Sequence, residues 1–216
     1  MTQTGTGLPR GKFISFEGGE GAGKSTQARM LRMHLESLGY TALLTREPGG
    51  SPGAEEIRRL LVEGEPERWT SLAETLLFLA ARADHIARTI EPALSSGTWV
   101  ICDRFADSTF VYQGVARGLG MEFVRRLQRT ALGDFAPNLT IMLDVMPQDG
   151  LARAGNRGAA ENRFERFDGA FHDRLREGFL ALALDEPQRC AIVDGSGDAQ
   201  AIAAEIWRVV SERLNP

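Results

Sequence analysis

A three-layer α/β/α architecture, a parallel sheet between two layers of helix, is predicted by three features of the chain. Short apolar runs of strand length recur along it, helical patterns separate them, and the first run leads straight into a glycine-rich loop. Strands alternating with helices pair in parallel, because each crossover helix returns the chain to the same edge of the sheet. The composition permits this, since 216 residues at 43% hydrophobic can bury a sheet within one large domain. A net charge of −4 argues against holding nucleic acid on a general basic surface, so an anionic ligand must be met by locally focused charge. No run reaches membrane-span length, and the polar start has no apolar signal core. The expectation is a cytoplasmic protein with no nucleic-acid and no membrane partner.

Met1–Gly11, rich in Thr and Gly, reads as a disordered tail, and residues 12–216 as a single domain. Lys12–Phe16 is the first strand. Gly18-Gly19-Glu20-Gly21-Ala22-Gly23-Lys24-Ser25-Thr26 follows, and Gln27–Leu38 has a helical pattern. The spacing G-x-x-x-x-G-K-S between a strand and a helix is the P-loop. Its glycines let backbone N–H groups wrap a polyphosphate, and the helix N-terminus adds partial positive charge. Lys24 can bridge the β- and γ-phosphates, and the Ser25 hydroxyl can ligate Mg²⁺. A nucleoside triphosphate with Mg²⁺ is therefore the expected ligand.

Thr41–Thr45 reads as a short buried strand, broken by Arg46-Glu47-Pro48-Gly49-Gly50-Ser51-Pro52. Ala54–Val62 is a helix carrying Arg58, and Gly64–Arg68 a loop. Thr70 or Ser71 caps a long helix whose apolar stripe runs Leu72, Leu76, Leu79, Ala83, Ile86, Ile90. Trp99–Cys102 is a buried strand ending in Asp103-Arg104. Helices are expected over Asp107–Val115 and Met121–Leu132, and a strand over Leu139–Val145, with Pro147 opening a helix. Ala152–Asn162 is poor in apolar residues and reads as a mobile segment. Phe164–Leu184 is helical, Cys190–Val193 the last strand and Ala199–Leu214 the last helix. Cys102 and Cys190, in apolar runs, read as buried thiols in a reducing compartment.

A P-loop alone does not separate a kinase from a switch or a motor, but the chain has no N-K-x-D guanine motif. Asp103 follows a buried strand at the edge where α/β sheets bind ligands, so it can share the Mg²⁺ shell, with Arg104 clamping a phosphate. Phe78 and Arg82, four apart, share a helix face with Glu74 and His85, beside the apolar stripe.

The stretches FEGGEGAGKST (Phe16–Thr26), TREPGG (Thr45–Gly50), LFLAARADH (Leu77–His85), CDRFADSTFVYQGVARG (Cys102–Gly118) and FHDRLREGFLALA (Phe171–Ala183) resemble bacterial thymidylate kinases. The blocks occur in that family's order over nearly the whole chain. The resemblance implies a P-loop kinase fold with about five parallel strands and a short helical lid near 152–163. It implies transfer of the γ-phosphoryl group of ATP to dTMP, with Mg²⁺, by a cytoplasmic homodimer.

By position, the resemblance makes Phe78 the ring that stacks on thymine and Arg82 the donor to a base carbonyl. Gln113, Ser108, Thr109 and Tyr112 are placed near base and sugar. Arg46 and Arg58 flank the acceptor phosphate with Arg104, and Glu20 turns towards the acceptor rather than the ATP phosphates. Gly21 stands where other branches carry a basic residue, which implies a catalytic arginine from the lid. Arg157 is the nearest match, with Arg153 and Arg163 as further candidates. Two departures stand out. Phe105 replaces the usual Tyr or His, and Gly158–Asn162 lacks the usual Asp-Arg pairing. The rivals are another nucleotide kinase and a P-loop switch that binds a protein partner.

Overall fold

The computed structural model describes residues 9–155 and 163–216. Its sheet holds β1 (Phe13–Glu17), β2 (Ala42–Arg46), β3 (Trp99–Asp103), β4 (Leu139–Asp144) and β5 (Cys190–Asp194). All pair in parallel in the order β2-β3-β1-β4-β5. Alternate residues serve opposite layers, as the twofold side-chain period of a strand requires. Ile14, Phe16, Ile101 and Ile141 pack beneath α1 (Lys24–Ser37) and α9 (Ala199–Leu214). Phe13, Val100, Cys102 and Met142 pack on the other face, against α8 (Gly169–Asp185) among others. The loops after the neighbouring strands β1 and β4 leave in opposite directions, towards β2 and β5, and such a switch point opens a ligand crevice at the carboxyl edge.

The remaining helices are α2 (Pro52–Val62), α3 (Ser71–His85), α4 (Glu91–Ser95), α5 (Ala106–Thr109), α6 (Met121–Leu132) and α7 (Pro147–Gly155). Thr70 caps α3 by accepting from the Ala73 N–H. Phe110–Ala116, expected as α-helix, is π-helical, a rare geometry that often accompanies ligand sites.

Three expectations need correction. β2 is an edge strand and only half-buried, so Thr41–Thr45 is not the buried strand its apolar content suggested. Phe164 precedes the helix, which begins at Gly169 under an Asp168 cap that accepts from Phe171 N. The apolar stripe of α3 is only partly its core face: Leu79, and Ile90 in the π-helical turn that follows, are buried as expected. Leu72 and Leu76 are exposed, while Glu74, Arg82 and His85 are buried. Periodicity misled at Leu72 and Leu76 because part of the inward face of α3 is a buried polar network, with Glu74 paired to Arg163 and Gln113, and Arg82 and His85 both on Glu47.

Candidate active site

The glycine loop closes tightly over β4 and α7. Gly21, at φ +66°, lies where a Cβ would come within 1.8 Å of the Gly150 carbonyl oxygen. Gly18, at φ +131°, would meet the Leu143 carbonyl oxygen at 2.4 Å. No larger residue fits either position, so the loop amides are held in place by contact. Lys24 is buried, and its Nζ donates to the Gly18 and Gly19 carbonyls at 3.1 and 2.6 Å. Burial, with the Arg104 charge beside it, lowers the ammonium to about 8, against the pull of Glu20, Asp103 and Glu17. At the start of α1 the Ser25 hydroxyl donates to Asp103 at the end of β3, so the two predicted Mg²⁺ ligands meet.

Arg104 joins this phosphate end to the next compartment. Its backbone is left-handed, at φ +69°, an uncommon conformation outside glycine. That turn sends the guanidinium to Gly18 O (3.0 Å), Ser108 Oγ (3.1 Å) and Glu20 Oε1 (2.9 Å), over the Tyr112 ring. Glu20 therefore turns away from the loop amides. Burial alone would raise its pKa, but Arg104, Lys24 and the Tyr112 hydroxyl (2.6 Å) hold it down at about 2.

Beyond Arg104 lies a cavity lined by Glu20, Arg58, Phe78, Arg82, Ser108, Thr109, Tyr112 and Gln113. The structure thus brings together every residue expected around the acceptor except Arg46. Arg46 is exposed, pairs with Glu55 at 3.1 Å and faces a separate cleft beside Ser25 and Asp103. Arg58 donates to Pro48 O at 2.7 Å. Arg82 is fully buried and donates to Glu47, Gln128, the Phe105 carbonyl and Thr109, with its plane over the Phe105 ring. Those bonds use four of its five N–H groups. Phe105 packs edge-on to Phe13 at 4.9 Å, in an apolar setting that suits a phenyl ring better than a hydroxyl or an imidazole.

Several residues at this site carried no assignment from the sequence. Glu47, after β2, lines the cavity, accepts from Arg82 Nε at 2.7 Å and meets His85 Nδ1 at 3.1 Å. Glu17, the last residue of β1, is buried and accepts from Phe105 N and Ser108 Oγ. A charged residue closing an apolar strand was the available signal for both, and it is the signal that singled out Asp103. Phe164 and Glu165, assigned to helix, also line the cavity. Among the lid candidates, Arg153 donates to the Gly195 and Ser196 carbonyls. Arg163 is not a solvated lid residue. It is buried, ion-paired with Glu74 at 2.5 Å, and bonded to the Leu61, Glu65 and Pro66 carbonyls. Arg157 lies outside the described residues.

A P-loop whose lysine and Mg²⁺-type ligands adjoin a second cavity, joined to it by Arg104 and Glu20, defines a P-loop phosphotransferase with two substrate sites. The family model for thymidylate kinase matches residues 16–206. A thymidylate kinase of Ruegeria pomeroyi is 51% identical over 212 residues, covering 98% of each chain. One of Caulobacter vibrioides is 50% identical, covering 96% of this chain and 99% of its own. The crystal structure of thymidylate kinase from Ehrlichia chaffeensis superposes with a TM-score of 0.75 at 33% identity, over 94% of this chain and 99% of that one. The chain belongs to the thymidylate kinase family.

Proposed function

We propose that this chain phosphorylates dTMP to dTDP, using ATP and Mg²⁺, by in-line transfer of the γ-phosphoryl group in the supply of dTTP. The observation that carries the reading is the adjoining cavity, where an aromatic face, a buried arginine and a buried amide meet beside the P-loop. Phe78 offers a stacking surface to the base, Arg82 a donor to a carbonyl, and Arg58 and Arg104 positive charge to the acceptor phosphate. Tyr112 and Glu20 sit at sugar level, with Glu20 kept ionised by its neighbours. Phosphoryl transfer demands positioning and charge neutralisation more than covalent help. Lys24 follows the phosphates as their charge shifts, and an arriving polyanion restores the ammonium that burial disfavours. The paired Ser25 and Asp103 oxygens suit a hard cation that takes few protein ligands. Mg²⁺, when bound, neutralises phosphate charge. Arg157, on sequence grounds, is the candidate for a further cation on the transferring group, with Arg153 its alternative.

The same reading takes residues 12–216 as one domain acting as a homodimer in the cytoplasm. The exposed Leu72 and Leu76, in register with the outward Ala80 and Ala83 on α3, give a second copy an apolar face to cover. The buried free thiols of Cys102 and Cys190 suit a reducing compartment.

A coupled ADP-release assay across dTMP, dUMP, dCMP, dAMP and dGMP tests the function. The expected order is dTMP first, dUMP intermediate for want of a methyl contact, and the others far behind, because an amino group facing Arg82 opposes donor to donor. ADP release indifferent to any added monophosphate would instead identify a nucleotide-hydrolysing switch.

A further inference from the structure

One acceptor atom at the base cavity is left without a partner among the described residues. Gln113 is fully buried and lines the cavity. Its Nε2 donates to Glu74 Oε1 at 2.8 Å, and its Oε1 makes no hydrogen bond to any described residue. Buried polar atoms are satisfied in the great majority of cases, so an amide oxygen left over beside a ligand cavity calls for a donor on the ligand. The amide cannot simply turn round. A carboxylate accepts and does not donate, so only the NH₂ of Gln113 can face Glu74; the flipped amide would set oxygen against oxygen.

Glu74 is fixed in turn. It is fully buried, with Arg163 Nη1 at 2.5 Å from one oxygen and Arg117 Nε at 3.5 Å from the other. The bonds of Arg163 to three backbone carbonyls leave its guanidinium no freedom to follow a moving carboxylate. Glu74 itself does not line the cavity, so its influence on a bound base passes through Gln113.

We propose that Glu74 is a positioning residue that sets the polarity of the Gln113 amide, so that the cavity presents an oxygen and selects a base with a ring N–H. The inference rests on reading this cavity as the dTMP site. Thymine and uracil carry a hydrogen at N3, whereas the N3 of cytosine is a bare acceptor. Facing Gln113 Oε1, cytosine would bury two unpaired acceptors, in addition to setting its amino group against Arg82. The base is thus checked at two neighbouring positions, each by a side chain that a buried glutamate orients: Arg82 by Glu47, and Gln113 by Glu74. Without the carboxylate the amide is free to rotate. It still accepts from thymine, but it can also donate to cytosine, and the check at N3 is lost.

The experiment compares kcat/KM for dTMP, dUMP and dCMP in wild type, Glu74→Gln and the double variant Glu74→Gln/Arg163→Met. The double variant removes both members of the buried ion pair, and Arg117 keeps Glu67 at 3.4 Å and the Trp69 carbonyl at 2.7 Å, so no charge is stranded without a partner. The preference for dTMP over dCMP should fall about tenfold in both variants, the scale of one buried unpaired polar group. The preference for dTMP over dUMP should stay unchanged, because it reports methyl packing and not amide polarity. A dTMP-to-dCMP ratio that holds at the wild-type value in both variants overturns the proposal. So does a fall of both ratios together, which would make Glu74 a purely structural anchor for Arg163. A wild type that uses dCMP as readily as dTMP would overturn the reading of the cavity itself, and this inference with it.

Discussion

The phosphate end and the base end of the site are built by different means. At the proposed phosphate end, the loop is nine consecutive residues, Gly18–Thr26, and its geometry is enforced by backbone crowding at Gly18 and Gly21. At the base end, the working side chains come from α2, α3, α5 and the π-helical turn, and none is adjacent in sequence to all its partners. There orientation is enforced by buried carboxyl groups: Glu47 on Arg82, Glu74 on Gln113, Glu17 on Ser108. Backbone N–H groups offer donors alone, which suit an anion, and every nucleotide has one. Side chains locked by carboxylates can distinguish donors from acceptors. On the proposed function, the first construction is the one to bind phosphate whatever it is attached to, and the second the one to read a base.

If that division is right, the two ends should fail differently. Lys24→Ala should give the largest loss, a fall in kcat of about 10²–10³ or more with dTMP affinity nearly kept, since the charge it meets develops in transfer. Steady-state kinetics in both substrates checks this, and turnover above a tenth of wild type would remove Lys24 from the chemistry. At the base end the expected losses are smaller and fall on choice. Phe78→Ala should weaken all monophosphates alike, by about tenfold for a lost stacking face. Arg82→Ala should instead erode the preference for dTMP over dCMP, while His85 still partners the Glu47 carboxylate it leaves behind. Equal losses across bases in Arg82→Ala would reduce that arginine to scaffolding.

The same division explains what the sequence could reveal. The P-loop was legible because its function is its local spacing, and the five strands because each is a short apolar run between helices. Asp103 was legible because it ends such a run. Phe78, Arg82 and Gln113 could be assigned only through resemblance, since a helix-face pair or a lone glutamine has no signature of its own. For Glu17 and Glu47 a strand end was the one cue, and the partners that define their roles, like those of Glu74, were not legible. Each depends on a partner 35 to 91 residues away, Arg82 for Glu47 and Ser108 for Glu17 at the extremes. The α3 stripe misled at Leu72 and Leu76 for the related reason that buried ion pairs to distant partners put Glu74, Arg82 and His85 inward, against the usual rule that the apolar face lies inward.

The smallest predicted effect concerns the boundary between the two ends, where Glu17 closes β1 one residue before Gly18. Burial raises its carboxyl to about 8, the Asp107 charge adds to this, and the Ser108 hydroxyl, Arg104 and the Phe105 amide oppose. An unfolded glutamate titrates near ~4.3. Between those values the folded chain holds a proton that the unfolded chain has released, so stability must decrease as pH rises. The contribution is complete below the unfolded value and is lost as pH climbs through the folded one. Glu17→Gln removes the titration, keeps an oxygen for the Phe105 N–H and offers an NH₂ to Ser108 Oγ. Asp107 remains paired with Arg189 at 2.6 Å, so its charge does not confuse the comparison. Thermal melts from pH 6 to 9 should therefore show wild type losing a few degrees more than Glu17→Gln, at roughly 2–4 °C per kcal/mol for a chain of this length. Parallel curves for the two proteins would mean that Glu17 is already ionised in the folded state. The carboxylates at the boundary would then be set by charge pairing, like Glu20, and not by burial.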